Sequence, residues 1–117
     1  MPYVNIVTSK TLEPQEVQAL HESVLSAAAL LGKPAASVMV RVQDGATLQR
    51  GQTPGHCAYC DVQVLGQPAP EAADAFAQRL CADIARIAQT SPGSLYLNLG
   101  AMALCYTDGT LVKPRTA

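Results

Sequence analysis

Apolar residues recur along this chain with two different spacings, and the switches between them mark its elements. Tyr3-Val4-Asn5-Ile6-Val7 is an extended apolar run that reads as a strand. From Pro14 to Leu31 the spacing lengthens to that of a helix, with Val17, Leu20, Val24, Ala28 and Leu31 on one face and Gly32 at the usual stop position. Val38 to Val42 returns to strict alternation, Val-Met-Val-Arg-Val, and predicts a second strand. A loop rich in Gly, Gln and Thr covers 44–55, and the order then starts again. Tyr59 to Leu65 reads as a strand with Val62 and Val64 in alternation. Pro70 to Ala88 reads as a helix whose apolar face is Ala73, Phe76 or Ala77, Leu80, Ile84 and Ile87, with Pro70, Glu71 and Asp74 suited to a helix start. Leu95 to Leu99 is the fourth predicted strand.

The two halves overlay at an offset of 57 to 58 residues, so that Pro34 and Ser37 fall on Pro92 and Ser94. This pattern predicts an α+β fold of two tandem βαβ units, whose four strands form one mixed sheet with both helices on one face. The other face is then left open. It carries Met39, Arg41, Tyr96 and Asn98 in alternation with apolar neighbours, so it is semi-polar, and a face of that kind is expected to meet another subunit.

Composition narrows the picture. The length of 117 residues suits one domain, 1–117, with one core, and 49% hydrophobic against 15% charged residues is ordinary for a globular chain. A net charge of −1 with scattered Lys and Arg offers no electrostatic footprint for nucleic acid or an anionic membrane. No basic segment followed by a long apolar one opens the chain, so a cytoplasmic protein is expected, with non-classical release left open. The four cysteines, Cys57, Cys60, Cys81 and Cys105, are then expected as free thiols.

Two features carry chemistry. Pro2 directly precedes the first strand, and if Met1 is removed it becomes a secondary amine fixed at the head of that strand. Such an amine titrates at roughly 7.7 to 8.0, and burial or a nearby cation lowers that value, which suits a general base near neutral pH. Cys57 and Cys60 form a Cys-x-x-Cys, the spacing used in thiol-disulfide exchange. This pair runs into a strand and not into a helix N-terminus, and positions three apart on a strand point to opposite faces, so a structural role is favoured. Zinc is not expected, because no second pair completes a tetrahedron and His56 is merely adjacent. His21 falls on the first helix as a surface or boundary residue. No cofactor is called for.

Six pieces of sequence in register resemble the tautomerase superfamily, in its macrophage migration inhibitory factor and D-dopachrome tautomerase branch. They are Pro2 behind Met1, Gly32-Lys33-Pro34, Cys57-Ala58-Tyr59-Cys60, Leu65-Gly66, Leu80-Cys81 and Tyr96-Leu97-Asn98. The resemblance implies a homotrimer whose sheets form a central barrel, with an active site at each subunit boundary. It implies keto-enol tautomerisation of phenylpyruvate-like 2-oxo acids, and dopachrome isomerisation as a related activity. Pro2 would be the base, moving a proton between carbon and oxygen. Lys33 would pair with the substrate carboxylate and keep Pro2 neutral. The N–H of Leu65 would be a second carboxylate donor, and Tyr96 and Asn98 would come from the neighbouring subunit.

The C-terminal part departs from the family pattern. Animal members carry a tryptophan and a phenylalanine wall there, whereas this chain has no Trp and a single Phe in its second helix. With a three-residue deletion after the fourth strand, Leu104-Cys105-Tyr106 falls on the corresponding stretch and Tyr106 takes the place of the wall. Tyr3 is expected at the pocket mouth. Asp108-Gly109 is a hairpin signal, so 103–107 and 110–112 are expected to form a short ribbon. Three function classes therefore stand side by side: a tautomerase that needs a free Pro2 amine, an oxidoreductase that needs an accessible thiol, and a cytokine-like interaction protein that needs neither.

Overall fold

The computed structural model describes residues 2–113. The elements run β1 (Tyr3–Thr8), α1 (Pro14–Ala28), β2 (Met39–Gln43), β3 (His56–Leu65), α2 (Pro70–Ala88), β4 (Thr90–Met102), β5 (Cys105–Thr107) and β6 (Thr110–Val112). The first four strands make one sheet in the order β2-β1-β3-β4. β1 and β2 are parallel, β3 and β4 are parallel, and the central pair β1 and β3 is antiparallel. The predicted repeat is thus two parallel βαβ halves joined through their first strands.

Alternation on the strands decides where the core lies. Val4 and Ile6 on β1 and Ala58, Cys60, Val62 and Val64 on β3 are buried together with Leu20, Val24 and Ala27 of α1 and Phe76, Leu80, Ile84 and Ile87 of α2. Both helices therefore cover one face. Each large side chain so buried contributes roughly 1.5–3 kcal/mol relative to an exposed one. Ser23 and Asp83 tie the two helices together across their outer edge at 2.6 Å.

The helix ends explain how the chain is delivered to the sheet. Pro14 opens α1, and the carboxylate of Glu16 accepts the Glu13 N–H at 2.9 Å and pairs with Lys10 at 3.2 Å. The regular helix stops at Ala28, three residues short of Leu31, and tightens into a 3-10 turn over Ala29–Leu31. Gly32 then takes a left-handed φ of 71°, which lets the Lys33 N–H reach back to the Ala28 carbonyl at 3.1 Å. That reversal sets the position of Lys33.

Two strands are longer than their hydrophobic pattern indicates. β3 starts at His56 because Cys57 and Ala58 are held by Ser9 and Thr8. β4 starts at Thr90 and contains Pro92, which is tolerated because β4 is an edge strand and needs no N–H on its outer side. The pairing jumps from His56 with Thr90 to Ala58 with Leu95, so the residues around Pro92-Gly93 bulge out of the ladder. The expected ribbon is present as β5 and β6, with its first arm starting at Cys105 and not at 103, and the arms are joined by Asp108 and Gly109 at φ 49° and 83°.

Candidate active site

One end of the sheet gathers residues far apart in sequence. β1 and β2 begin there and β3 ends there, because the central strands are antiparallel. Pro2 is buried at this end, and its carbonyl accepts the Met39 N–H at 3.0 Å. Tyr3 lies opposite Gln63, so Pro2 stands one step further, level with Val64 and beside Leu65. Lys33, brought in by the turn after α1, donates from Nζ to the Leu65 carbonyl at 3.1 Å. No carboxylate lies within ion-pair distance of Lys33 among the described residues. Removal of Met1, on which the basicity of the Pro2 nitrogen depends, concerns a residue outside the described range.

The other candidate residues are Tyr3, Tyr96, Asn98 and Tyr106. Tyr3 is half-buried at the head of β1, on the open face, between Met39 and Gln63. Tyr96 pairs in register with Tyr59, which pairs with Val7, so it sits five residues along the sheet from Pro2. At about 3.3 Å per residue that is a separation of roughly 17 Å along the strands alone. Tyr96 and Asn98 are both exposed, and Asn98 donates to Asp61 at 2.9 Å. Tyr106 is exposed on the ribbon opposite Leu111. Within one chain, then, Pro2, Tyr3, Lys33 and Leu65 share an end of the sheet, and Tyr96 and Asn98 lie further along it.

The open face sets Arg41 and Asn98, which the sequence pattern singled out, beside Asn5 and Asp61, which it did not. Arg41, Asn5, Asp61 and Asn98 stand in register across all four strands of the main sheet. Arg41 donates to Asn5 at 3.1 Å, and Gln63 joins Asn98 in donating to Asp61. Beside Tyr96 is a small pocket of about 110 Å³ lined by Leu48, Arg50, Cys57, Ala58, Tyr59 and Tyr96. Arg50 is held there by a 3.0 Å bond from its Nε to Ser94. Period-two alternation from Tyr59 places 59, 61 and 63 on one face. Only the register shows which residues they meet.

The Cys-x-x-Cys pair divides between the two faces as its spacing predicts. Cys60 belongs to the helix-covered core, whereas Cys57 lies under the 44–55 loop and donates from Sγ to the Leu48 carbonyl at 3.2 Å. Burial, with smaller contributions from Cys81 and Asp61, pushes the Cys60 thiol up to about 12. Burial also raises the Cys81 thiol. A thiol held protonated is a poor nucleophile, so this geometry does not suit disulfide exchange. Among the described residues no cluster of His, Cys, Asp or Glu is arranged to hold a metal ion, and no helix is long and apolar enough to cross a membrane.

A mixed four-stranded sheet with two helices on one face, with buried Pro2 and Lys33 at one sheet end, matches the tautomerase-like α+β class. The sequence profile of the macrophage migration inhibitory factor (MIF) family matches residues 1–107, and the chain belongs to that family. Solved structures repeat the fold over nearly its whole length. Leishmania major MIF2 superposes with a TM-score of 0.86 at 23% identity, over 96% of this chain and 97% of that one. The MIF-like protein of Entamoeba histolytica gives 0.79 at 20% identity, over 95% and 98%. Pt0534, in a form inactivated by 2-oxo-3-pentynoate, gives 0.80 at 19% identity, over 93% and 95%. Compared by sequence with curated proteins, the chain matches none. Membership of the family supports a tautomerase or MIF-like role.

Proposed function

We propose that this protein is a keto-enol tautomerase of phenylpyruvate-like 2-oxo acids, acting as a homotrimer with the Pro2 amine as general base. The observation that carries the reading is the convergence of buried Pro2 with Lys33 and Leu65 at one end of the sheet, with the Lys33 ammonium held, among the described residues, by a carbonyl alone at 3.1 Å. A cation held in that way is available to a substrate carboxylate, and a charge beside an amine lowers its proton affinity. Once Met1 is removed, Pro2 takes the proton from the carbon next to the ketone and returns it to oxygen or carbon. The inhibitor named with Pt0534 is itself a 2-oxo acid, which fits this substrate class. Tyr3 lines the mouth, Tyr106 supplies the aromatic wall, and the Leu65 N–H is the second carboxylate donor. The whole chain serves as one domain, in the cytoplasm.

The wide separation of Tyr96 and Asn98 from Pro2 within one chain favours a site shared between subunits. The exposed Met39, Tyr59 and Tyr96 on the open face support the same assembly. The test uses protein lacking Met1. Pro2→Ala lowers kcat/KM for phenylpyruvate by a factor on the order of 10² or more. Refolding Pro2→Ala subunits together with Asn98→Ala subunits then restores part of the activity, since some boundaries combine an intact Pro2 with an intact Asn98. An unchanged rate in Pro2→Ala sinks the mechanism. A fully active monomer sinks the shared site.

A further inference from the structure

The pocket at the start of β3, at the end of the sheet away from Pro2, is built within one chain where the 44–55 loop meets the strands. Its volume is about 110 Å³ and its lining is almost wholly apolar. Tyr59 and Tyr96 are register partners on adjoining strands, so their side chains rise from one face about 4.8 Å apart. One charged group, Arg50, joins them in the lining. Its Nε donates to the hydroxyl of buried Ser94 at 3.0 Å, and its head group passes close to the Gly93 backbone, where a Cβ would stand 3.7 Å from Nη2. Among the described residues no Asp or Glu lies within ion-pair distance of Arg50, and the bond to Ser94 is the one its guanidinium makes. A guanidinium pinned at one nitrogen with the other two unused is an oriented fork of donors.

We propose that this pocket is a second binding site, for a short-chain carboxylate, with Arg50 taking the charge and the tyrosine pair holding the hydrocarbon end. Two N–H groups of one guanidinium match the two oxygens of a carboxylate. A phosphate dianion fits worse, because its remaining charge and oxygens would lie against apolar groups that donate nothing. The volume limits the ligand as well. A cavity of about 150 Å³ holds a benzene ring, so this smaller one suits an aliphatic chain of about three carbons beyond the carboxylate. The inference does not depend on the tautomerase reading, since the pocket lies five residues along the sheet from Pro2 of the same chain. Tyr96 also figures in the shared site proposed above, and the experiment therefore separates a carboxylate held by Arg50 from one held by Lys33.

The experiment titrates the isotope-labelled full chain with sodium butyrate, neutral butyramide or inorganic phosphate at constant ionic strength and follows the backbone amides by NMR. Butyrate is expected to shift the amides of 48–50, 57–59 and 94–96 saturably, with a Kd on the order of 1 mM for a ligand of about six non-hydrogen atoms. Butyramide binds at least about tenfold more weakly, because it lacks the charge and the second acceptor oxygen. Phosphate leaves the same amides in place. Arg50→Gln removes the charge and weakens butyrate at least about tenfold, whereas Arg50→Lys keeps the charge without the fork and falls between the two. Lys33→Ala leaves butyrate binding within about twofold, as a distant site should. Equal affinity for butyrate and butyramide, phosphate binding as tight as butyrate, shifts that persist in Arg50→Gln, or binding lost in Lys33→Ala each overturns the proposal. The three ligands on the wild-type chain decide the matter even where Arg50→Gln fails to fold.

Discussion

The two faces of the main sheet are built by the same strands and differ in almost everything else. On the helix-covered face Val4, Ile6, Cys60, Val62 and Val64 are fully or almost fully buried among the helices. On the opposite face their immediate neighbours Tyr3, Asn5, Tyr59, Asp61 and Gln63 are partly or well exposed; Asn5 and Asp61 accept hydrogen bonds from neighbouring strands, and Gln63 donates to Asp61 along β3. Alternation in a strand thus lets one segment serve two purposes: the odd positions on β1 and β3 need not contribute to the monomer's core and are free to carry polar chemistry. A residue's face is therefore a better guide to what its loss will do than its type.

The largest contrast is expected from Phe76. Its truncation to Ala empties a fully buried position and should cost about 3–5 kcal/mol. Arg41→Ala on the open face should cost less than about 1 kcal/mol, since exposed polar contacts are worth little. Urea denaturation monitored by circular dichroism measures both, and comparable losses would break the comparison.

A finer version uses the cysteine pair, which places one residue type on both faces. Cys60→Ser puts a hydroxyl into the apolar core and should destabilise by about 1–3 kcal/mol. Cys57→Ser keeps a donor for the Leu48 carbonyl and should cost under about 1 kcal/mol. If the two variants melt alike, the division of the motif between faces is wrong. Neither change should abolish tautomerase activity.

The smallest effect lies at the seam between the helices. The hydrogen bond from Ser23, aided by Arg86 and Arg79, holds the Asp83 carboxyl below its ordinary value. A group whose folded pKa is depressed adds stability above its unfolded pKa and loses it as pH falls through the folded value. Ser23→Ala should therefore lower stability by about 1 kcal/mol at neutral pH, and the difference from the wild type should shrink as the solution is acidified below the ordinary carboxylate range. A difference that stays constant down to strongly acidic pH would show that Ser23 acts through packing alone.

Most of the architecture was legible because it depends on local periodicity. α2 spans Pro70–Ala88 as its spacing indicates, and the hairpin at Asp108-Gly109 follows from residues that tolerate positive φ. Where the reading fell short, the cause was local for α1, at the Gly32 reversal, and a partner from elsewhere in the chain for the strands. α1 turned into a tighter helix three residues early, although Ala29, Leu30 and Leu31 continue the apolar run. β3 and β4 grew beyond their hydrophobic cores because the 44–55 loop, Ser9 and the sheet edge gave their ends hydrogen-bond partners.

The candidate site divides in the same way. Pro2 is recognisable in the linear chain from its place directly ahead of an apolar strand, and Lys33 and Leu65 through the resemblance to the tautomerase superfamily. Asp61 was not, since an aspartate on a strand face has meaning only through the side chain opposite it. The amino-acid order alone is enough for which residues alternate, where helices start and stop, and which face of each strand is apolar, because these follow from bond geometry and short-range sterics. The antiparallel join of β1 to β3, the register that sets Asp61 against Asn98, and the approach of Lys33 to Leu65 needed the folded chain. Such pairings bring together residues more than 30 positions apart, and their free energy comes from contacts that no local stretch of sequence contains.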